Sequence, residues 1–276
     1  MDSIKITRQD IERAYNGSYF DIRGIKIAAP ADSLMAKGMT EVVLDSFGNY
    51  LGYTNEEVED LGGEGIYILP DRELGREDVV IDAGAYVGDF SAYASTMGAK
   101  VYAFEPDEGM YKILKQTVEL NERIIPVNFA LSDKKGKYRF YTNSANPGSS
   151  TLYGGRAWIY PMILIRTRCA RDLMKYIFRL SLFKEMVTAE RIKTITLDSF
   201  VESNNIKVTF IKADIEGSEE FLLKGAANVL QTMEPDISMC TYHRPGDREI
   251  LENLIKQINP NYRVIQKKKK LYAYVP

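Results

Sequence analysis

The chain has 276 residues, 45% hydrophobic and 27% charged, with 36 Lys and Arg against 38 Asp and Glu for a formal charge of -2 at pH 7. Such a length holds one large α/β domain or a domain with a substantial extension, and the balance of charge leaves no global field to draw in nucleic acid. The two cysteines, Cys169 and Cys240, stand in no metal-ligand spacing and form no C-x-x-C pair, which points to a reducing compartment.

The opening stretch, MDSIKITRQDIERAYN, mixes charged and apolar residues throughout and cannot serve as the apolar segment of a signal peptide. Within it, Thr7 and Asp10 have capping-box spacing and open a short helix that Gly17 ends. SYFDIRGIKIAAP and TEVVLDSFGNYLGY then carry the alternation, β-branched residues and Gly/Asn punctuation of short antiparallel strands. Residues 1–76 are therefore expected to form an N-terminal accessory region of α+β structure, suited to a homodimer contact or to a cover over the substrate side.

From Val79 the rhythm is strand, helix, strand. VVIDAG is a strand, YVGDFSAYASTMG its helix and KVYAFEP the next strand. DEGMYKILKQTVELNE repeats apolar residues at Met110, Ile113, Leu114, Val118 and Leu120, close to helical spacing, and IIPVNFAL makes a third strand. VTFIKADIEG with SEEFLLKGAANVLQ repeats the unit, and PDISMCTYH with DREILENLIKQI repeats it again. YRVIQKKKKLYAYVP closes as a hairpin whose exposed turn would hold the run Lys267 to Lys270. Residues 77–276 are thus expected to be one α/β domain with a mostly parallel sheet, helices on both faces and an antiparallel C-terminal hairpin. Ligands in such sheets bind beyond the carboxyl ends of the strands, near the switch point.

Four strand ends carry polar residues. The first reads D-x-G-x-x-x-G, with Asp82, Gly84 and Gly88, where a dinucleotide-binding turn would read G-x-G-x-x-G. Glu105 ends the second about 20 residues on, where an acidic side chain accepts both hydroxyls of a ribose. Asn128 ends the third beside Phe129 and Ala130, a candidate adenine slot, and Asp214 and Glu216 end the fourth. Each has a plain competitor: a glycine after a strand is often only a tight turn, Glu105 before Pro106 suits the start of a helix, and Glu216 and Ser218 suit the cap of another. Their order on successive strands favours an adenosine ligand. The missing third glycine suits one without a pyrophosphate, such as S-adenosylmethionine.

VIDAGAYVGDFSAYAS, VYAFEPDEGMYKIL, NFALSDKKGKYRFY, TLDSF, FIKADIEGSEEFLLKGAANVL and ISMCTYHRPGD follow, in that order, a pattern that resembles the FkbM-type methyltransferases, over roughly residues 79 to 265. The resemblance implies a Rossmann-like class I methyltransferase sheet and S-adenosylmethionine as cofactor. It implies that Asp82, Gly84 and Gly88 bound the methionyl end and that Glu105 holds the ribose, with Ala85 and Pro106 joining the cofactor contacts. Asp214, Glu216 and His243 would border the substrate. Tyr86 departs from the family, where asparagine is common.

Methyl transfer is an in-line displacement at a sulfonium methyl, so alignment and exclusion of water matter most, and a hydroxyl acceptor also needs a base. His243 is the sole histidine and follows the fifth strand, on the edge that carries Asp214. It is the candidate base, assisted by Asp214 or Glu216; its bland reading is a satisfied turn histidine beside Arg244 and Pro245. Asp214 and Glu216 could instead hold a divalent metal, for which the sequence identifies no third ligand; no metal is assigned. The Asn/Asp-Pro-Pro-aromatic motif of enzymes that methylate exocyclic amines is replaced by ADIEG, so the acceptor is expected to be an oxygen, on a sugar, glycan precursor or small metabolite. A nucleotide-cofactor oxidoreductase and a cofactor-binding module without turnover are the alternatives.

Residues 156–186 carry seven basic side chains (Arg156, Arg166, Arg168, Arg171, Lys175, Arg179, Lys184) against Asp172 and Glu185, interleaved with Trp158, Tyr160, Phe178 and Phe183. An amphipathic helix with solvated cations is one reading. A lid that selects a phosphate-bearing substrate, or that touches an anionic membrane surface, is the other. The longest apolar run, AWIYPMILI, is broken by Pro161 and falls short of the roughly 20 residues that span a bilayer. The expectation is a soluble cytoplasmic protein without a transmembrane segment.

Overall fold

The computed structural model describes residues 7–16, 18–28, 42–48, 50–51, 53–60, 63, 65–68, 72–143 and 187–276. Helix α1 (Arg8–Arg13) opens as expected: Thr7 donates through N and Oγ1 to Oδ2 of Asp10, at 2.9 and 2.6 Å, and Asp10 N returns a 3.3 Å bond to Oγ1. Strands β1 (Tyr19–Ile22) and β2 (Ile25–Ala28) pair antiparallel around Arg23 and Gly24, both at positive φ. The stretch TEVVLDSFGNYLGY corrects the sequence reading, because it is helical over 42–47 (α2) and not a strand. Val43, Leu44, Phe47 and Leu51 recur at helical spacing and are all buried, so the period outweighs the β-branched pair Val42 and Val43. Helix α3 (Asn55–Asp60) follows.

Strands β3 (Val79–Ala83), β4 (Lys100–Phe104) and β5 (Ile124–Val127) run parallel, each stepping outward from the last. The third expected strand then breaks at Asn128, and its second half, β6 (Ala130–Leu131), joins a separate sheet. There it pairs with β8 (Val187–Ile195), which pairs in turn with β7 (Gly136–Asn143) from Gly136 opposite Thr194 to Asn143 opposite Val187. The β7–β8 ladder was not anticipated. The basic segment 156–186, with its aromatic residues and Cys169, lies outside the described residues.

The chain then crosses back so that β9 (Phe210–Ala213) pairs with the free side of β3, and β10 (Asp236–Cys240) extends the sheet in parallel. The hairpin of β11 (Arg263–Gln266) and β12 (Lys270–Tyr274) closes it, with β12 antiparallel to both neighbours, giving the order β11-β12-β10-β9-β3-β4-β5. This is the expected α/β sheet, mostly parallel with antiparallel C-terminal strands. The strand order reverses between the parallel strands β3 and β9, and sheets of this kind bind ligands beyond the strand ends at such a switch point. One expectation fails in the hairpin: Lys270 is not in the exposed turn but is the first residue of β12, opposite Cys240 and fully buried.

Helices α4 (Asp89–Thr96) and α5 (Glu108–Leu120) cover one face; Asp107 caps α5 by accepting from Met110 N at 3.0 Å. The N-terminal region shares their core, since Phe20, Ile27, Val43 and Phe47 pack in one buried cluster with Val80, Phe90 and Leu114. The other face buries Ile81, Phe104 and Ile211 under α6 (Leu197–Asn204), α7 (Glu219–Lys224), α8 (Ala227–Thr232) and α9 (Asp247–Ile258). Helices on both faces explain why the central strands are apolar at nearly every position and not alternating. The single helix expected over SEEFLLKGAANVLQ is two, α7 and α8, which meet near Gly225, where the chain passes so close to Ser132 that a Cβ would lie 2.0 Å from its carbonyl oxygen. No helix among the described residues is long and apolar enough to cross a membrane.

Candidate functional site

The turn after β3 has little room for side chains. Gly84 has φ +75°, and a Cβ there would meet the carbonyl oxygen of Asp214 at 1.9 Å, so the ends of β3 and β9 touch backbone to backbone. Gly88, at φ +88°, starts α4 against the side chains of Leu114 and Thr117. Between them the N–H groups of Gly84 and Ala85 both donate to the carbonyl of Phe104, at 3.1 and 2.9 Å, which ties the turn to β4.

Glu105, next in the chain, is buried at the end of β4, where Tyr86 N donates to one carboxylate oxygen at 2.9 Å and Asp107 N to the other at 2.8 Å. Burial pushes its carboxyl up to about 8 in spite of those two N–H donors. Asn128 reaches the same place from β5, its Nδ2 donating to the carbonyls of Glu105 (3.0 Å) and Pro106 (3.4 Å). It therefore braces the backbone of its neighbours. Phe129 is half-buried with the Lys193 ammonium 5.7 Å from its ring centre, and Ala130 is buried in β6. Gly84, Ala85, Gly88, Glu105, Pro106 and Asn128 thus gather around one turn.

Asp82 differs from the other expected contacts, for its side chain points inward and is fully buried. Oδ1 forms a 3.0 Å ion pair with Lys212 and Oδ2 accepts from Ser91 Oγ at 2.6 Å. Lys212 also donates to the carbonyl of Gly84 at 2.7 Å. Burial alone would lower the pKa of this lysine, but Asp82, Asp214 and Asp89 more than offset it, and the amine stays charged. Close by, Ser46 donates to Asp89, whose buried carboxyl is pushed up to about 6. The turn therefore sits on a buried charged layer.

Beyond β9 and β10, Asp214, Glu216 and His243 converge. The His243 ring is completely buried; its Nδ1 bonds Glu219 Oε1 at 2.9 Å, and its Nε2 stands 3.5 Å from both Asp214 Oδ1 and Glu216 Oε1. Glu219, itself buried, also accepts from Ile215 N at 3.1 Å. Asp214 Oδ2 accepts from the Tyr67 hydroxyl at 2.6 Å, so a residue from before the α/β sheet reaches the heart of the cluster. Burial would depress the His243 pKa, yet Glu219, Glu216 and Asp214 raise it well above its usual value. Asp214 moves the other way: burial raises it, but His243, Lys212, Lys270 and the Tyr67 bond together bring it down to about 2. Burial raises the Glu216 carboxyl. A cluster with this electrostatics favours a positive charge near Nε2.

Sequence reasoning missed Tyr67, Lys212, Glu219 and Lys270. Lys212 had a signal, a lone cation inside the apolar strand FIKA, and Glu219 lies three residues past Glu216 where a helix begins. Lys270 stands 3.4 Å from the centre of the Tyr67 ring and 3.6 Å from Cys240 Sγ, contacts between distant parts of the chain that no local pattern announces.

Residues 82–263 match the family described as Methyltransferase FkbM domain. Among curated proteins, the hexuronic acid methyltransferase AglP of Haloferax volcanii is 28% identical over 179 residues, which are 64% of this chain and 62% of that protein. Among solved structures, methyltransferase FkbM from Methylobacillus flagellatus KT superposes with a TM-score of 0.51 at 19% identity, covering 88% of this chain and 56% of that one. The chain spans about three fifths of the length of each.

Proposed function

The chain belongs to the FkbM methyltransferase family, and we propose that it transfers a methyl group from S-adenosylmethionine to a hydroxyl of a sugar or glycan precursor. The observation that carries this reading is the meeting, at one switch point, of a two-glycine turn with a buried carboxylate (Gly84, Gly88, Glu105) and of an acid–histidine cluster (Asp214, Glu216, His243). The sugar class is favoured by the Haloferax relative, a hexuronic acid methyltransferase.

In this reading Glu105 accepts the ribose hydroxyls, and Gly84, Ala85, Gly88 and Pro106 shape the turn against which the cofactor lies. Asp82 acts beneath the turn, through Lys212, and Asn128 holds the backbone on which Glu105 and Pro106 sit; Phe129 and Ala130 flank the adenine side. The acceptor oxygen forms the new O–CH3 bond while the methyl–sulfur electron pair returns to sulfur, leaving a neutral thioether. The acceptor's proton must go elsewhere. Nε2 of His243 takes it in the neutral form of the ring, which the acidic neighbours make scarcer at neutral pH, while Glu219 keeps the other ring hydrogen on Nδ1. Residues 1–76 serve as an accessory piece that delivers Tyr67 to Asp214.

Titration calorimetry with S-adenosylhomocysteine, with NADH as control, tests the cofactor; a saturating ligand at 100 times its dissociation constant adds about 2.7 kcal/mol of stability. Binding of the homocysteine compound alone, weakened by Glu105→Ala, is expected. Methyl incorporation from labelled cofactor into uronic-acid glycosides then tests the acceptor class. Preference for NADH would overturn the reading.

A further inference from the structure

We propose that Asp214, Glu216 and His243 bind one first-row divalent cation of the Mn2+ type, through Asp214 Oδ1, a Glu216 carboxylate oxygen and His243 Nε2. The ion's role rests on the methyl-transfer reading of this site; its binding does not.

Three observations converge on these atoms. One ligand atom from each residue lies within 4.8 Å of the other two. The two 3.5 Å separations from Nε2 lie between the roughly 3.0 Å of adjacent and the roughly 4.2 Å of opposite ligands about 2.1 Å from a shared ion in an octahedral arrangement, so a small inward shift would seat it. Next, Nε2 of His243 and Oδ1 of Asp214 have no hydrogen-bond partner among the described residues, although the ring is fully buried and the two atoms face each other. Nearly all buried polar atoms in folded proteins have a partner, so two facing ones without a hydrogen bond call for an explanation, and an ion between them is one.

The third observation is how the remaining atoms of those groups are held. Nδ1 of His243 is tied to Glu219, and Oδ2 of Asp214 to the Tyr67 hydroxyl, so each group presents its other atom to a common centre. A carboxylate behind a ligating histidine is the usual arrangement that fixes its tautomer and ring direction. Glu216, whose Oε1 stands 3.5 Å from Nε2, has φ +53°, a conformation that costs energy in a non-glycine residue.

Two carboxylates and one imidazole suit Mn2+ better than Mg2+, which prefers oxygen ligands alone. Three protein ligands leave coordination positions for water and for the acceptor hydroxyl, whose acidity the ion would raise. The acceptor's proton then leaves to bulk water past Glu216, whose side chain is 21% exposed. Nε2 cannot both hold the ion and take that proton, so the cation replaces the ring as the activator.

The test uses the full chain, freed of metal with chelator and titrated with Mn2+ alone by electron paramagnetic resonance and calorimetry. One saturable equivalent is expected, weakened about tenfold or more by Asp214→Asn, Glu216→Gln and His243→Ala, and about tenfold by Glu219→Gln. S-adenosylhomocysteine titration of each variant reports whether it is folded; Asp214 and Glu216, partly exposed, supply substitutions less able to disturb the core than that of the buried His243. Absent or non-saturable Mn2+ binding, or binding that ignores all three substitutions, overturns the site. If the homocysteine compound binds and Mn2+ does not, the cation falls and the methyltransferase reading stands. If Mn2+ binds and the homocysteine compound does not, the proposed function falls and the site stands. Turnover that persists in chelator removes the ion from the reaction and returns the proton to Nε2.

Discussion

Replacing Lys212 by methionine removes the cation that neutralises Asp82 and keeps most of the side chain's length. The pair is buried, with side-chain exposures of 6% for Lys212 and 0% for Asp82, and its atoms are 3.0 Å apart. Stranding one member of such a pair costs about 3–5 kcal/mol, because the remaining charge has neither water nor a counter-ion. Ser91 still donates to Asp82, so a value near the lower end is expected. At roughly 2–4 °C of melting temperature per kcal/mol for a domain of this size, Lys212→Met should melt about 6–12 °C lower. Adding Asp82→Asn removes the stranded charge and should recover more than half of the loss. Urea unfolding of the wild type, both single variants and the double variant gives the cycle. Homocysteine-compound binding should also weaken in Lys212→Met, since Lys212 holds the carbonyl of Gly84. A loss under about 1 kcal/mol for the single change, or a double variant no better than it, would refute the claim that this ion pair supports the turn.

Gly84→Ala should abolish S-adenosylhomocysteine binding and lower stability by more than the ~1–2 kcal/mol of a left-handed alanine, because its Cβ would lie 1.9 Å from a backbone oxygen that cannot swing aside; wild-type affinity in calorimetry would mean that the turn opens freely. Ribose hydroxyls donate best to an ionised carboxylate, and burial sets the Glu105 carboxyl at about 8. Below that value the group is protonated and affinity should fall by up to about tenfold per pH unit, whereas above it affinity should level off. Glu105→Gln should flatten this profile, and a wild-type profile already flat from about pH 6 to 9 would contradict the assignment. Tyr67→Phe removes the 2.6 Å bond to Asp214 and should lower turnover about tenfold or more while cofactor affinity stays nearly constant; equal losses in both would mean that Tyr67 only supports the fold.

The parts of the fold legible in the sequence are those whose signal is local. The alternation from Val79 to Leu120 and from Asp236 to Tyr274 sits in runs short enough for apolar period and turn residues to mark each element. The 42–47 helix is not legible locally, because Val42 and Val43 favour a strand while the burial of Leu44, Phe47 and Leu51 in one cluster with Phe90 and Leu114 is a long-range fact. The β7–β8 ladder joins segments separated by residues 144–186, so no pattern in either announces the other. The same divide runs through the site. Gly84, Glu105, Asp214 and His243 were visible because each follows a strand, a position the fold class itself makes conspicuous. Tyr67 and Lys270 come from outside that repeat, and only the packed chain brings them to Asp214.

The two halves of the site are not independent. Gly84 lies so close to the Asp214 carbonyl that no side chain fits between them, and Lys212 bonds the Gly84 carbonyl while pairing with Asp82. In the proposed reading, a cofactor held by the Gly84 turn and an acceptor held at Asp214 would be registered through one short stretch of backbone, not through flexible side chains. In-line transfer needs the attacking oxygen about 3–3.5 Å from the methyl carbon, and a displacement of an ångström costs on the order of a hundredfold in rate. A loop-borne acceptor group could not keep that tolerance without being fixed to the cofactor turn. The close approach of β3 and β9 provides that fixation. It also explains why the glycine kept from the dinucleotide pattern is the one against β9, while the position whose glycine would make room for a pyrophosphate is filled by Tyr86.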